Sequence, residues 1–235
     1  MTRKPVIIML TAALLMSVAA WGQSLPKFKF GEPTMEELKM TTYDKDSSAA
    51  AVVLLNLRDV GFRLDGGDIT EVTTNRFRIK ILKDAGKDYA NVDHVLYNSQ
   101  GAKGHEKIFG IKAVAVNLEN GKVVKTKMKS DMIFTEKLDE YHDRVKFTIP
   151  QAKVGSVIEY EYNVSSDLYY QMDDWNAQQP IPVVHARYTS IIPEWLLFRY
   201  ELRGPGLLQP ILGDGLVARS DVIQTTSKNY VYVGN

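Results

Sequence analysis

The sequence predicts an all-β fold, an antiparallel β-sandwich with one short helix near its start. Three observations carry this. From Ala49 onward apolar residues recur with a period of two, and no stretch after Met40 sustains a helical period. Gly, Asn and Pro punctuate the chain at spacings of roughly 8–15 residues, as short antiparallel strands require. A parallel sheet would need crossover helices, and the sequence offers no segments to supply them.

The elements follow in order. Arg3 and Lys4 precede the uncharged run Val6–Ala20, and Ala20-Trp21-Gly22 places small residues where a signal peptidase reads, so residues 1–22 read as a signal peptide cleaved before Gln23. The 15-residue run spans roughly 22 Å as a helix, short of the ~30 Å hydrocarbon core. Residues 23–48 read as a linker and a short helix at Met35–Met40, opened by a capping box in which Thr34 is the N-cap and Glu37 reaches back. Residues 49–235 read as the β domain. Ala50–Asn56 is a strand, Gly66-Gly67-Asp68 a turn, and Glu71–Leu82 a second strand with a slip near Arg76 that reads as a bulge. Lys83–Asn91 is polar, a loop or one helical turn, before a strand at Val92–Tyr97. Asn120-Gly121 between Lys107–Leu118 and Lys122–Lys127 signals a tight hairpin. Further strands are expected at Val145–Ile149, Ser156–Val164, Val183–Ile192, Leu197–Leu202, Gly215–Ser220 and Asn229–Val233. In the second of these, over Val157–Tyr162, alternation sets Ile158, Tyr160 and Tyr162 on one face and Glu159 and Glu161 on the other.

Charge and composition exclude several functions. The chain carries 29 basic and 28 acidic residues; without residues 1–22, which hold Arg3 and Lys4, the balance is 27 − 28 = −1. Such a chain has no electrostatic draw to nucleic acid or to an acidic membrane surface. With no cysteine there is no disulfide, thiolate metal site or thiol nucleophile, and a cysteine-free exported chain points to a bacterial periplasm or secretion. His94, His105, His142 and His185 form no local pair at metal-ligand spacing and read as surface or turn residues. Asp139, Glu140 and Asp143 read as a polar hairpin tip. No Gly-x-Ser-x-Gly, Ser-x-x-Lys, GxGxxG or P-loop motif occurs, so the sequence indicates neither a catalytic site nor a cofactor. Asp173-Asp174-Trp175 is the most suggestive small motif: carboxylates beside an indole occur in sugar-binding clefts, whereas the plainer reading is a polar loop ending in a core tryptophan. Trp175, Tyr169, Tyr170 and Asp173 are the candidate ligand-binding residues.

One block is more specific. Phe147-Thr148-Ile149-Pro150, the run Lys153–Tyr162, Trp175, Gln178, Ile181-Pro182-Val183, Tyr188 and Ile192-Pro193 occur in this order at close spacing. The block resembles the DUF3857 domain, found mostly in exported bacterial proteins, after a signal peptide and before a transglutaminase-like domain. Ala177 departs from the family, which often has an aromatic residue there. The resemblance implies that any Cys-His-Asp chemistry belongs to the transglutaminase-like partner, and no catalytic residue carries over. It implies a non-catalytic accessory domain, lacking its enzyme, that binds or positions a peptide, a glycan or a partner envelope protein. The alternative is a stand-alone carbohydrate-binding or carbohydrate-active envelope protein. After signal cleavage no membrane attachment is expected.

Overall fold

A computed structural model of the chain describes residues 28–193, together with 195, 196 and 198 and the strand backbones of 210–211, 218–219 and 226–234. The signal-peptide reading of residues 1–22 and most of the expected strand Leu197–Leu202 lie outside these residues. Helix α1 spans Met35–Lys39, and its capping box forms as expected: the Thr34 hydroxyl accepts from the Glu37 N–H, and the Glu37 carboxylate accepts from the Thr34 N–H.

Twelve described strands follow: β1 Ala51–Asp65, β2 Asp68–Ile81, β3 Asn91–Tyr97, β4 Glu106–Glu119, β5 Lys122–Lys127, β6 Ile133–Lys137, β7 His142–Thr148, β8 Val157–Ser166, β9 Ala186–Pro193, β10 Pro210–Ile211, β11 Ala218–Arg219 and β12 Thr226–Gly234. They form a large sheet of order β10-β12-β9-β1-β2-β8-β4-β5, with β11 beside β12, and a small sheet of order β3-β7-β6. Pairing is antiparallel except where β9 runs parallel to β1, from Asn56 opposite Ala186 to Val60 opposite Ser190. Asn120 and Gly121 both take positive φ (49° and 76°), the mirror-image turn that matches strand twist. Residues 84–90 make a 3-10 turn. Strand β6 is an element the sequence reading omits, because its five residues show little inward apolar phase.

The bulge expected near Arg76 sits on the neighbouring strand. β2 pairs with β8 in unbroken register, Glu71 opposite Ser166 through Lys80 opposite Val157, while β1 slips between Val53 and Leu55. Consequently the odd-numbered residues of β2 and the even-numbered residues of β8 share one face. On that face Phe77, Ile79, Ile81, Ile158, Tyr160 and Tyr162 meet Leu96, Val145 and Phe147 of the small sheet, and this is the main core. Phe77 stacks on Tyr160 at 4.9 Å.

The opposite face is buried too, beneath the segment from Phe28 to Tyr43. Leu38 packs there with Val52, Val114, Val116 and Val157. Arg78 (4% exposed) and Glu159 (0%) are buried on it as an ion pair, Nε to Oε1 at 3.0 Å. Arg78 also bonds the Glu37 carboxylate at 3.0 Å and the carbonyls of Lys29 and Glu32, and the Gly31 N–H donates to Glu159 at 2.7 Å. Lys80, fully buried, donates to the carbonyls of Leu38 and Gly155. The strand β2 thus stitches the N-terminal segment to the sheet. Removing one partner of such a pair strands the other charge, so Arg78→Met costs ~3–5 kcal/mol in denaturant unfolding, and Arg78→Met/Glu159→Met recovers part of the loss.

Candidate functional site

The main core gives way to polar residues at one end of the sandwich. Moving along β2 away from Ile81, the inward phase continues through Phe77 to Asn75, Thr73 and Glu71, and on β8 it ends at Ser166. Three rows result across the sheet. At the rim Glu71, Ser166 and Glu106 lie side by side on β2, β8 and β4. The next row is Thr73, Val164 and Ile108, and the third is Arg58, Asn75 and Tyr162. The small sheet supplies His94 from β3, its ring 5.2 Å from that of Tyr162. Gln171 and Asp173 close the rim from the loop after β8. The enclosed part of this cleft has room for a group about the size of one water molecule.

Its side chains are held in place. Thr73 donates to the Glu71 carboxylate at 2.9 Å. Glu106 accepts the Tyr97 N–H at 2.8 Å and is bonded by the Ser166 side chain, whose oxygen also accepts the Leu168 N–H. Arg58 gives its Nε to the Asn75 Oδ1 at 2.9 Å and its Nη1 to the Asp174 carbonyl at 3.2 Å. Asn75 is 2% exposed, and its Nδ2 has no hydrogen-bond acceptor.

The electrostatics are one-sided. Burial pushes the Glu71 carboxyl up to about 7; Thr73 and Arg58 oppose this, and Asp173 and Glu106 reinforce it. Burial also raises Glu106, with Asp173 adding to the effect. His94 is lowered, by burial first and then by Arg58, which favours its neutral form. Three carboxylates therefore share the cleft with one guanidinium. Among the described residues no group of three or more His, Cys, Asp or Glu is placed to hold a metal ion.

The candidates from sequence divide. Asp173 lines the cleft. Trp175 stands next to it, half-buried, its ring tilted 42° on Tyr188 at 5.5 Å, and its buried Nε1 lacks an acceptor. Tyr170 is 65% exposed and meets Tyr169 edge-on at 83°, so these two rings make no flat platform. His94 is a correction: it faces inward because Val92 and Leu96 on either side of it in phase are core residues. Arg58, Glu71, Asn75, Glu106 and Ser166 escape the sequence reading. A signal exists for three of them: Glu71, Asn75 and Ser166 stand in the same period-two phase as residues that are plainly core.

Residues 67–211 match the family model of DUF3857, described as a domain of unknown function with a solved structure. The chain belongs to the DUF3857 family. The matched segment contains every cleft residue named above except Arg58. No curated protein sequence matches the chain. Among solved structures, the chain is similar to a Parabacteroides distasonis protein described as a candidate protease, at 12% identity and TM-score 0.49, over 77% of this chain and 35% of that one. It is also similar to Legionella pneumophila aminopeptidase A crystallised with aspartic acid, at 10% identity and TM-score 0.30, over 81% of this chain and 22% of that one. The chain thus spans about a third and about a fifth of those two proteins.

The Glu71 shift has a thermodynamic consequence. Its folded-state value lies above the ordinary value of 4.5, so between 4.5 and about 7 the native state binds more protons than the unfolded state. Stability therefore falls as pH rises through that window and is level above it. Glu71→Gln keeps the acceptor for Thr73 and removes the charge. Thermal unfolding should show the variant more stable than the parent at pH 8, by up to ~3 kcal/mol, and equal to it at pH 4.

Proposed function

We propose that this DUF3857 chain is an exported, non-catalytic accessory domain that binds or positions a peptide, glycan or partner protein for a transglutaminase-like or peptidase-like activity carried elsewhere. The observation that carries the reading is the cleft itself. It concentrates buried polar groups on the inner face of a β-sandwich, where packing alone would favour apolar ones. Its two hydroxyls support a binding role over nucleophilic catalysis. Thr73 and Ser166 are bonded to carboxylates and not to a histidine, while the His94 ring lies against Tyr162. Arg58, locked by two hydrogen bonds, is a positioned donor.

Export rests on the positive n-region, the apolar run and Ala20-Trp21-Gly22. The periplasm or the medium is then the site of action. Mass spectrometry of the protein from its native host should find the N-terminus near Gln23; an intact Met1 in the membrane fraction overturns this part of the reading.

The binding role is tested in two steps. Purified protein should turn over no peptide, transglutaminase or glycoside substrate, and hydrolysis that disappears in Asp173→Asn overturns the non-catalytic assignment. Trp175→Ala then separates the accessory reading from a carbohydrate-binding one. As a half-buried ring packed on Tyr188, its loss should cost ~2–3 kcal/mol, below the ~3–5 kcal/mol of a fully buried aromatic. A sugar platform would instead lose oligosaccharide binding with the melting temperature nearly unmoved.

A further inference from the structure

The cleft's polarity has two unlike halves, and together they specify a ligand. At the rim, Glu71, Glu106 and Asp173 crowd negative charge onto β2, β4 and the loop after β8, with the hydroxyls of Thr73 and Ser166 between them. Two residues further along β2 the character reverses. Asn75, 2% exposed, holds a buried Nδ2 donor with no acceptor, and its Oδ1 is already taken by Arg58. An unpaired buried donor of this kind is costly, and a ligand oxygen that meets it recovers that cost. The rim calls for a cation, and the depth calls for a neutral or anionic oxygen.

We propose that the cleft binds the amino terminus of a peptide, with the α-ammonium among Glu71, Glu106 and Asp173 and a carbonyl oxygen of the first two residues against Asn75 Nδ2. This rests on the binding-domain reading above and names its ligand class. Spacing supports it. The Glu71 carboxylate is drawn to Thr73, one strand repeat or ~7 Å from the Asn75 row, and an extended peptide covers that span in about two residues. The enclosed depth admits a single small group such as a carbonyl oxygen, and the ammonium takes its place at the open rim, where Asp173 is exposed. A diamine brings the cation with no oxygen, and a lysine side chain reaches this distance from its own carbonyl only when fully extended. Burial, which raises Glu71 and Glu106, is the strain that a bound ammonium relieves.

The test is a titration of the purified chain, followed by NMR of the Asn75 side-chain amide and the Ser166 backbone amide. The probes are alanyl-alanine amide, its N-acetyl derivative, N-acetyl-lysine amide and free alanine. The dipeptide amide should shift both signals. Acetylation should weaken binding at least ~tenfold, and the lysine derivative and free alanine should bind as poorly as the acetylated probe. Asp173→Asn, on an exposed loop where folding is not at stake, should weaken the dipeptide amide ~tenfold, and Asn75→Leu should do so too if it folds. Equal binding of the free and acetylated dipeptides, or preference for the lysine derivative, overturns the assignment of an amino terminus while leaving a ligand site in the cleft. No response to any probe overturns the assignment as well. If longer peptides, oligosaccharides and partner proteins also leave the spectrum unmoved, the binding-domain reading falls with it.

Discussion

Everything in this structure depends on the register between β2 and β8. Ten consecutive residue pairs, from Glu71 with Ser166 to Lys80 with Val157, run without a slip. Because a strand's side chains alternate, a one-residue shift in either strand would exchange its two faces. It would carry Phe77 and Ile79 out of the main core and turn Arg78 and Lys80 into it. The register thus decides at once where the small sheet packs and where the N-terminal segment lies. It also decides which polar side chains gather at the end of the sandwich. The sheet's irregularities fall on β1, between Val53 and Leu55, and on β4, between Phe109 and Lys112, and both leave this pairing intact.

Both faces of the central strands are buried, and they are buried by different physics. One face is closed by apolar packing against β3 and β7. The other is closed by a smaller apolar cluster around Leu38 together with ionic and carbonyl contacts from Arg78, Lys80 and Glu159 to residues 29–38. A buried charge pair contributes little net stability over an apolar pair, yet it tolerates few alternative arrangements. The guanidinium of Arg78 has its donors matched to Glu159, Glu37 and two carbonyls, which pins the N-terminal segment to one place on the sheet. The segment before the β domain is therefore a structural layer and not a mere tether.

The cleft follows from the mismatch in sheet size. The small sheet covers the apolar end of β2 and β8, and toward the other end β3 runs past His94 to Tyr97, whose N–H reaches Glu106. At the rim the inner face meets the loop carrying Gln171 and Asp173, and there Glu71, Ser166 and Glu106 replace the apolar residues. Carboxyl groups placed there are partly cut off from water while retaining a path to it. That is why Glu71 sits well above the ordinary range and why a cationic group is the natural complement.

Much of the fold was legible in the chain: the capping box at Thr34, the Asn120-Gly121 hairpin, the alternation in Val157–Tyr162 and the strand-rich class all depend on local sequence and local sterics. The family was legible for the same reason, since Phe147–Pro193 is a contiguous pattern. Asp173 was legible as part of a motif. The site around it was not, because Arg58, Glu71, Asn75, His94 and Glu106 come from four strands and converge only through pairing. Nor could sequence place the parallel join of β1 with β9, which brings together segments more than a hundred residues apart. Alternation tells which residues share a face; it does not tell which face another layer will cover. Tertiary structure decided that, and with it whether Glu159 was a surface glutamate or the buried counter-ion of Arg78.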